Sequence, residues 1–374
     1  MKTFRSCSRT VLFCLAALAV STAAYGHAGF APESDALSAG TALKEMSPGW
    51  NLGNTLEALP NETSWGNPVP NLTLFKAVRA AGFKSIRIPV AWSQHADAEY
   101  NIDPKWKSHI QDVVTLARRA GLYAMINIHW DGGWLQSTYA KEPAATSKLR
   151  KFWSQIAKSF RDFDDHVLFA GTNEIGVDGV YGPPTPENAA VQNGFNQTFV
   201  TAVRKTGGNN RTRFLVVQGY STDIDATVKS NATMPYDTAN DRLMMEVHYY
   251  SPYNFTLNDK STIWQWGKNA TDPSATETWA NEAYVDAEFQ KMKATFIDKG
   301  VPVILGEYAA GMKSKYPGMD SFRRDWDMYV TKSAFAHGLI PFYWDAGSLF
   351  NRRTGVQQDG AVIKLITEAA RTSS

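Results

Sequence analysis

Eight short runs of β-branched and aromatic residues recur along the chain, and a stretch with helical periodicity separates most of these runs from the next. Strands that alternate with helices pair in parallel, because each helix carries the chain back to the edge at which the previous strand began. The predicted strands cover residues 49–54, 85–90, 123–129, 168–174, 213–219, 243–250, 302–308 and 340–347. This pattern restricts the chain to folds built on a parallel sheet.

Several of the intervening stretches end in a glycine just before the next strand, which fits a helix closed by a left-handed cap. These glycines are Gly82, Gly121, Gly300 and Gly338, and a last helical pattern covers residues 361–371. Eight strand–helix units in about 330 residues predict an α/β fold, a closed (β/α)8 TIM barrel. We expect one domain that spans residues 42–374.

An open doubly wound sheet is the alternative that the same alternation allows. Such a sheet would be expected to carry a glycine-rich phosphate loop after an early strand. The stretch GWNLGNT at residues 49–55 is a poor version of that loop, because it has no Lys-Ser/Thr pair and no third glycine in register. The closed barrel is therefore favoured.

The first 24 residues have the layout of a secretory signal peptide. Three basic residues within positions 2–9 precede an apolar run at 11–20 and then small residues. The alternative is a membrane anchor, but ten apolar residues are too few to span a bilayer. We expect cleavage after Ala24, or less favourably after Ala28, which leaves a small-residue tail at 25–41. The mature protein is predicted to be secreted, or periplasmic in a Gram-negative host, with no membrane association.

Charge and cysteine content exclude further classes of function. Both cysteines, Cys7 and Cys14, lie in the predicted signal, so the mature chain has no disulfide and no thiol chemistry. Removal of the signal's three basic residues leaves 35 Lys and Arg against 36 Asp and Glu. A nearly neutral chain argues against nucleic acid as a partner.

Polar side chains stand at nearly every predicted strand end, where the carboxyl ends of barrel strands surround one mouth. They are Asn51, Asn54, Arg87, His129, Asn173, Glu174, His248, Tyr250, Glu307 and Trp344. Two carboxylates that flank a cleft are what glycosidic bond cleavage requires, and Asn51 is expected to be among the residues that bind the substrate. Glu307, near Arg87 and a tyrosine hydroxyl, is expected to stay ionised and attack, whereas Glu174, beside its partner's negative charge, is expected to have a raised pKa and act as the acid.

Four of these residues could instead have a purely structural role. His129 and His248 could be core histidines, Arg87 could ion-pair with Glu307 only to close the barrel, and Trp344 could be core packing. Twelve tryptophans in one chain nevertheless suit stacking against sugar rings, and Trp130 and Trp134 are favoured because they directly follow the third strand.

Two other classes of protein remain open. A metal-dependent barrel hydrolase is suggested by the sequence His129-Trp130-Asp131, but the other histidines fall outside strand ends, apart from His248, so no metal is predicted. A catalytically inactive carbohydrate-binding barrel would not need both Glu174 and Glu307.

By these residues the chain resembles glycoside hydrolase family 5, and most closely its bacterial-type endoglucanases. The matching stretches, in order, are GWNLGNTLEA, ETSWGNP, AGFKSIRIPVAWS, INIHW, TNE, VHYYSPYNF, ILGEY and WD, from about residue 49 to 345. The chain departs from the family pattern at Trp130, where members often have a second histidine, and at Ile175, where they often have proline. The first departure concerns contacts near the third strand, and the second concerns loop geometry.

The resemblance implies a retaining endo-β-1,4-glucanase (cellulase) in which Glu174 is acid/base and Glu307 is the nucleophile. It implies that Asn173 binds the sugar 2-hydroxyl and that Arg87 and Tyr250 support the nucleophile. The same resemblance places the remaining predicted contacts around the catalytic subsite, at His129, His248 and Trp344. No metal and no organic cofactor is implied. The expected partner of this monomer is a β-glucan polysaccharide or oligosaccharide, and a related glycan such as mixed-linkage glucan, xyloglucan or mannan is the alternative.

Overall fold

The computed structural model describes residues 37–230 and 232–372, and the predicted signal peptide lies outside them. Eight parallel strands close into a barrel in the order β1 to β8, with β8 paired to β1. The strands are β1 Gly49–Leu52, β2 Ser85–Ile88, β3 Tyr123–Asn127, β4 Val167–Ala170, β5 Leu215–Gln218, β6 Leu243–His248, β7 Val303–Tyr308 and β8 Leu339–Asp345. All eight predicted strands and the predicted barrel are confirmed, and the open sheet is excluded.

Most of the helices follow strands and cover the outside of the barrel, whereas the first helix precedes β1 and packs against side chains inside the barrel. The helices are α1 Ala39–Glu45, α2 Leu72–Ala81, α3 Pro104–Arg119, α4 Glu142–Ser159, α5 Pro186–Arg204, α6 Ile224–Lys229, α7 Tyr253–Thr256, α8 Glu282–Thr295, α9 Met319–Ala336 and α10 Gly360–Thr372. Within the described part of the chain, none of these helices has the length and apolar character needed to cross a bilayer.

The predicted glycine caps are present before β2, β3, β7 and β8. Gly82 follows α2 with φ of 115° and donates its N–H to the carbonyl of Arg79. A residue with a Cβ is strained at this φ, so glycine ends the helix and turns the chain toward β2. Gly121, Gly300 and Gly338 have φ between 82° and 85°.

Side chains inside the barrel form an apolar layer near the strand beginnings and a polar layer above it. Met125, Leu168, Val216 and Met244 belong to the apolar layer, which packs against the buried face of α1. Side chains along a strand point alternately into and out of the barrel, so the next inward side chain comes two residues later and lies one layer higher. That layer contains Asn51, Arg87, Gln218 and Glu246, all without exposed surface. The barrel therefore presents buried polar groups directly beneath its mouth.

Candidate active site

Glu307, near the end of β7, is buried and held by two donors from other strands. Arg87 Nη1 lies 2.7 Å from its Oε1, and the Tyr250 hydroxyl donates to its Oε2 over 3.1 Å. The pKa of Glu307 is raised, because burial outweighs the nearby charges of His248 and Arg87, which lower it. Both carboxylate oxygens are therefore held in fixed positions, so Glu307 can be oriented toward one point in the mouth.

Arg87 lies beneath Glu307 and has no exposed surface. Its Nη1 also donates to Asn51 Oδ1 over 3.1 Å, and its Nη2 donates to Asn173 Oδ1. Its Nε lies 2.9 Å from Glu246 Oε1. The guanidinium is thus shared between two carboxylates, and the predicted ion pair between Arg87 and Glu307 is present.

Glu174 lies across the mouth from Glu307, and 46% of its side chain is exposed. His248 Nδ1 lies 2.7 Å from its Oε1, and one oxygen of Glu174 lies within 4.8 Å of one oxygen of Glu307. Retaining glycosidases have carboxyl groups about 5–5.5 Å apart, whereas inverting enzymes need roughly 6.5–9.5 Å to admit a water. The observed spacing fits direct attack by a carboxylate.

The backbone of Glu174 has φ of 51°, in the left-handed region. A residue with a side chain pays about 1–3 kcal/mol for a sparsely populated backbone conformation of this kind, and such residues cluster at functional sites. Because the turn begins right after Asn173, the two neighbours differ sharply in exposure. Asn173 stays buried against Arg87, and Glu174 reaches the open mouth.

The charges around the two glutamates are nearly balanced. Desolvation lowers the pKa of His248, but Glu307, Glu174 and Glu246 outweigh it and raise that pKa to about 9. For Glu246, burial raises the pKa, while Arg87 and His248 lower it to about 2. Two cations, Arg87 and protonated His248, thus face the three carboxyl groups of Glu174, Glu246 and Glu307.

His129 and Trp344 form one wall of the site. Their rings stack with centroids 5.8 Å apart and an interplanar angle of 13°. Burial and the charges of Arg87 and His248 lower the pKa of His129 well below its usual value, so this imidazole is neutral. Asn127 Nδ2 lies 3.2 Å from His129 Nδ1, and Asn127 Oδ1 accepts the N–H of Val90. With Asn127 as donor, the His129 proton is on Nε2 and is available to a ligand.

The two tryptophans predicted after β3 differ in their surroundings. Trp130 is 57% exposed on the loop that follows the strand. Trp134 is half-buried, with Lys148 Nζ 4.4 Å from its ring centroid and its Nε1 donating to Asp131 Oδ2 over 2.8 Å. Trp130 therefore has a free face for a sugar ring, whereas Trp134 is already packed on one face.

The geometry does not support the metal-dependent alternative. Asp131 Oδ1 accepts the backbone N–H groups of Trp92 and Ser93 over 2.6 and 2.7 Å, so this carboxylate organises a loop. The ligand atoms of Glu174, His248 and Glu307 lie within 4.8 Å of one another, but both oxygens of Glu307 already accept hydrogen bonds, from Arg87 and from Tyr250. The prediction that no metal takes part stays a prediction.

One predicted substrate contact is placed differently from expectation. Asn51 has no exposed surface, and its Nδ2 donates to the carbonyls of Gly306 and Phe342 over 2.8 and 3.1 Å. In this conformation Asn51 cannot touch a sugar. It holds Arg87 and the strand that carries Glu307.

Three residues of the site were not singled out from the sequence: Asn127, Gln218 and Glu246. Each stands on an apolar strand and is buried in the layer below the mouth. The available signal was a polar residue inside a strand, which is costly unless it is paired. The sequence prediction considered only the ends of the strands, so it did not include these three residues.

A family model described as "Cellulase (glycosyl hydrolase family 5)" matches residues 51–349. A xyloglucan-specific endo-beta-1,4-glucanase of Bacteroides ovatus is 42% identical over 344 residues, covering 86% of this chain and 68% of that protein. Endoglucanase A of Paenibacillus barcinonensis is 37% identical and covers 98% of this chain and 99% of that protein.

Solved structures agree with these relatives. A Bacteroides ovatus GH5 xyloglucanase in complex with a XXXG heptasaccharide superposes with a TM-score of 0.86 at 41% identity, covering 90% of this chain and 77% of that one. A GH5-4 broad specificity endoglucanase from Bacteroides salanitronis has a TM-score of 0.84 at 39% identity, covering 90% of this chain and 96% of that one.

Proposed function

The chain belongs to glycosyl hydrolase family 5, and we propose that it is an endo-β-1,4-glucanase that cleaves internal bonds of a β-glucan with retention of configuration. The observation that carries this proposal is the pair Glu174 and Glu307, whose nearest oxygens lie within 4.8 Å across the barrel mouth. This separation is in the range of retaining enzymes and is shorter than the roughly 6.5–9.5 Å that inverting enzymes need to admit a water, which favours attack by the carboxylate itself.

In the first step Glu307 attacks the anomeric carbon while Glu174 gives its proton to the leaving glycosidic oxygen. The new bond joins the sugar to Glu307, and the broken bond releases the shorter glucan. Arg87 and Tyr250 hold the two oxygens of Glu307, so the attacking oxygen is oriented before substrate binds.

In the second step Glu174, now ionised, takes a proton from water as that water attacks the same carbon and releases Glu307. The protonated form of Glu174 is restored at the end. Its exposed position suits this step, because the water must enter from the side of the departed glucan.

The mouth is rimmed by exposed aromatic side chains, which can stack against sugar rings along an extended chain. They stand on the segments that follow β1, β3, β4 and β6 and comprise Trp65, Trp130, Tyr181 and Tyr253, the last at the start of α7. Exposed aromatic side chains after four different strands suit contacts with several sugar units of a polysaccharide chain.

Xyloglucan is the second candidate substrate. It is favoured by the Bacteroides ovatus relative, which is named as xyloglucan-specific and covers most of this chain. Reducing-end release from carboxymethylcellulose, xyloglucan, mixed-linkage glucan and mannan separates the candidates. We expect the first two to be cleaved, and hydrolysis of mannan alone would contradict the proposal.

The assignment of the carboxylates is tested by Glu174→Gln and Glu307→Gln, which change charge with little change in volume. Each is expected to lower turnover by roughly 1000-fold or more while the thermal unfolding transition is retained. Glu288→Gln is the matched control, since Glu288 is a buried glutamate on α8, remote from the mouth. Normal activity of either site variant would overturn the assignment.

We also propose that the mature protein is a secreted monomer that needs no metal. The predicted signal peptide supports secretion. N-terminal sequencing of the exported protein, its mass in solution and its activity in EDTA test the three statements. Residues 1–24 retained after export, a dimer, or loss of activity in EDTA would each contradict one of them.

A further inference from the structure

Glu246 is a buried carboxylate that the reaction described above does not use. It lies on β6 with no exposed surface. Its Oε1 is 2.9 Å from Arg87 Nε and 3.2 Å from His248 Nε2, and its Oε2 accepts from Gln218 Nε2 over 2.9 Å. Glu246 therefore contacts both cations of the active site from below.

The neighbouring strand is shaped to admit this carboxylate. A Cβ at Gly306 would lie 2.0 Å from Glu246 Oε1, so only glycine leaves space for it on β7. Asn51 holds the carbonyl of the same glycine. The site is thus built around Glu246, and Glu307 is the next residue along the strand from Gly306.

Every strand around Glu246 contributes a charge or a polar group to the cluster. Arg87 comes from β2, His129 follows β3, Glu174 follows β4, Gln218 comes from β5, His248 ends β6, Tyr250 follows it and Glu307 comes from β7. The carboxyl groups of Glu174, Glu246 and Glu307 all lie near the His248 imidazole. Arg87 is the fixed positive charge of this cluster, and His248 is its second cation when protonated.

We propose that Glu246 is a positioning residue that divides the charge of Arg87 between itself and Glu307 and keeps His248 protonated against Glu174. It thereby sets the pH range in which Glu307 is ionised and reactive. The catalytic part of this inference rests on the proposed function, whereas the protonation of His248 can be measured without any activity.

The charge of Glu246 acts on both neighbours in the same direction. A negative charge a few ångströms away favours protonation of His248 and also of Glu307. When the charge of Glu246 is removed, Glu307 is the only carboxylate that still pairs with Arg87. Glu307 is then expected to ionise at lower pH and to be a weaker nucleophile, because a more strongly stabilised carboxylate attacks less readily.

Glu246→Gln tests this prediction, since it removes the charge and keeps the shape. We expect the acid limb of kcat/KM to move to lower pH by about one unit and the plateau of kcat to fall about tenfold. Glu246→Asp keeps the charge, so its acid limb is expected to stay near that of the unsubstituted enzyme even if its plateau falls. Glu288→Gln is expected to change neither.

NMR of the histidine side chains provides a measurement that does not depend on catalysis. With the His248 signal assigned by its loss in His248→Gln, we expect an alkaline titration midpoint that falls by about one to two pH units in Glu246→Gln. A folded Glu246→Gln protein with unmoved acid limb and unmoved His248 midpoint would overturn the proposal. If that variant does not fold, a neutral His248 at pH 7 in the unsubstituted protein would overturn it.

Two results separate this inference from the proposed function. An enzyme that cleaves no glucan but shows the shift of the His248 midpoint would refute the function and retain the charge coupling. Cleavage that depends on Glu174 and Glu307, without any effect of Glu246 on pH, would retain the function and refute this inference.

Discussion

At the scale of single residues, the two glutamates differ in a way that separates their roles. Glu307 is buried and held on both oxygens, as a nucleophile must be to attack along one direction. Glu174 is half-exposed on a left-handed backbone and contacts His248, so it can exchange protons with the solvent side of the cleft. The proton of Glu174 is needed only for substrates whose leaving oxygen must be protonated as the bond breaks.

A substrate with an activated leaving group therefore distinguishes the two residues. The dinitrophenolate of dinitrophenyl cellobioside leaves without being protonated. Glu174→Gln is therefore expected to release a rapid burst of dinitrophenolate and then to stall at the covalent intermediate. Glu307→Gln is expected to give no burst, because no covalent bond can form. Stopped-flow absorbance measures both.

The unsubstituted enzyme and Glu288→Gln serve as references in this experiment and are expected to turn over continuously. A burst from Glu307→Gln together with none from Glu174→Gln would mean that the two roles are reversed.

At the scale of the strands, the period of two residues explains what the sequence could predict. Strand positions and strand ends follow from apolar runs and glycine caps, and both were found. An inward-facing residue one layer below the mouth lies within an apolar run, as a core residue does, and only its polarity distinguishes it in the sequence. Glu246 was overlooked for this reason, and Asn51 was expected to contact substrate although it lies one layer down. Contacts between strands, such as those of Arg87 with Asn173 and Glu246, depend on barrel closure and cannot be deduced from one strand.

The space at Gly306 gives a prediction for the strand pair β6 and β7. Gly306→Ala would place a Cβ 2.0 Å from Glu246 Oε1, and the carboxylate would have to shift. We expect a loss of stability of about 1–3 kcal/mol and a further fall in kcat, because the same shift disturbs Arg87. Chemical unfolding and steady-state kinetics measure the two effects.

Gly40→Ala is the matched control for this substitution. Gly40 lies in α1, and a Cβ there would have no neighbour closer than 4.0 Å. Its stability is expected to stay the same or to rise slightly, with kcat unaffected. Equal kinetics for Gly306→Ala and Gly40→Ala would show that Glu246 can move without consequence.

At the scale of the whole molecule, buried carboxyl groups link stability to pH. Burial raises the pKa of Glu57 and of Asp327 to about 7 and that of Asp131 to about 6, above their ordinary values of 4.5 and 3.8. A group whose pKa is raised on folding stabilises the protein below its unfolded pKa, and this contribution is lost as the pH rises through the folded pKa. Glu246 acts in the opposite sense, because its pKa falls from 4.5 to about 2 and its contribution is lost as the pH falls through that range.

The contribution of Glu57, Asp131 and Asp327 to stability is therefore expected to decrease as the pH rises from about 4 to about 7, and Asp327 offers a way to test it. Asp327 Oδ1 accepts the N–H of Ala310 and its Oδ2 accepts the hydroxyl of Tyr343, both over 3.1 Å. Asp327→Asn can keep both contacts without a charge, so its melting temperature should vary less with pH than that of the unsubstituted protein. Val330→Ala creates a cavity next to the same helix and changes no charge. It should therefore lower the melting temperature equally at every pH. If Asp327→Asn keeps the full pH dependence of the unsubstituted protein, the buried charge of Asp327 is not its source.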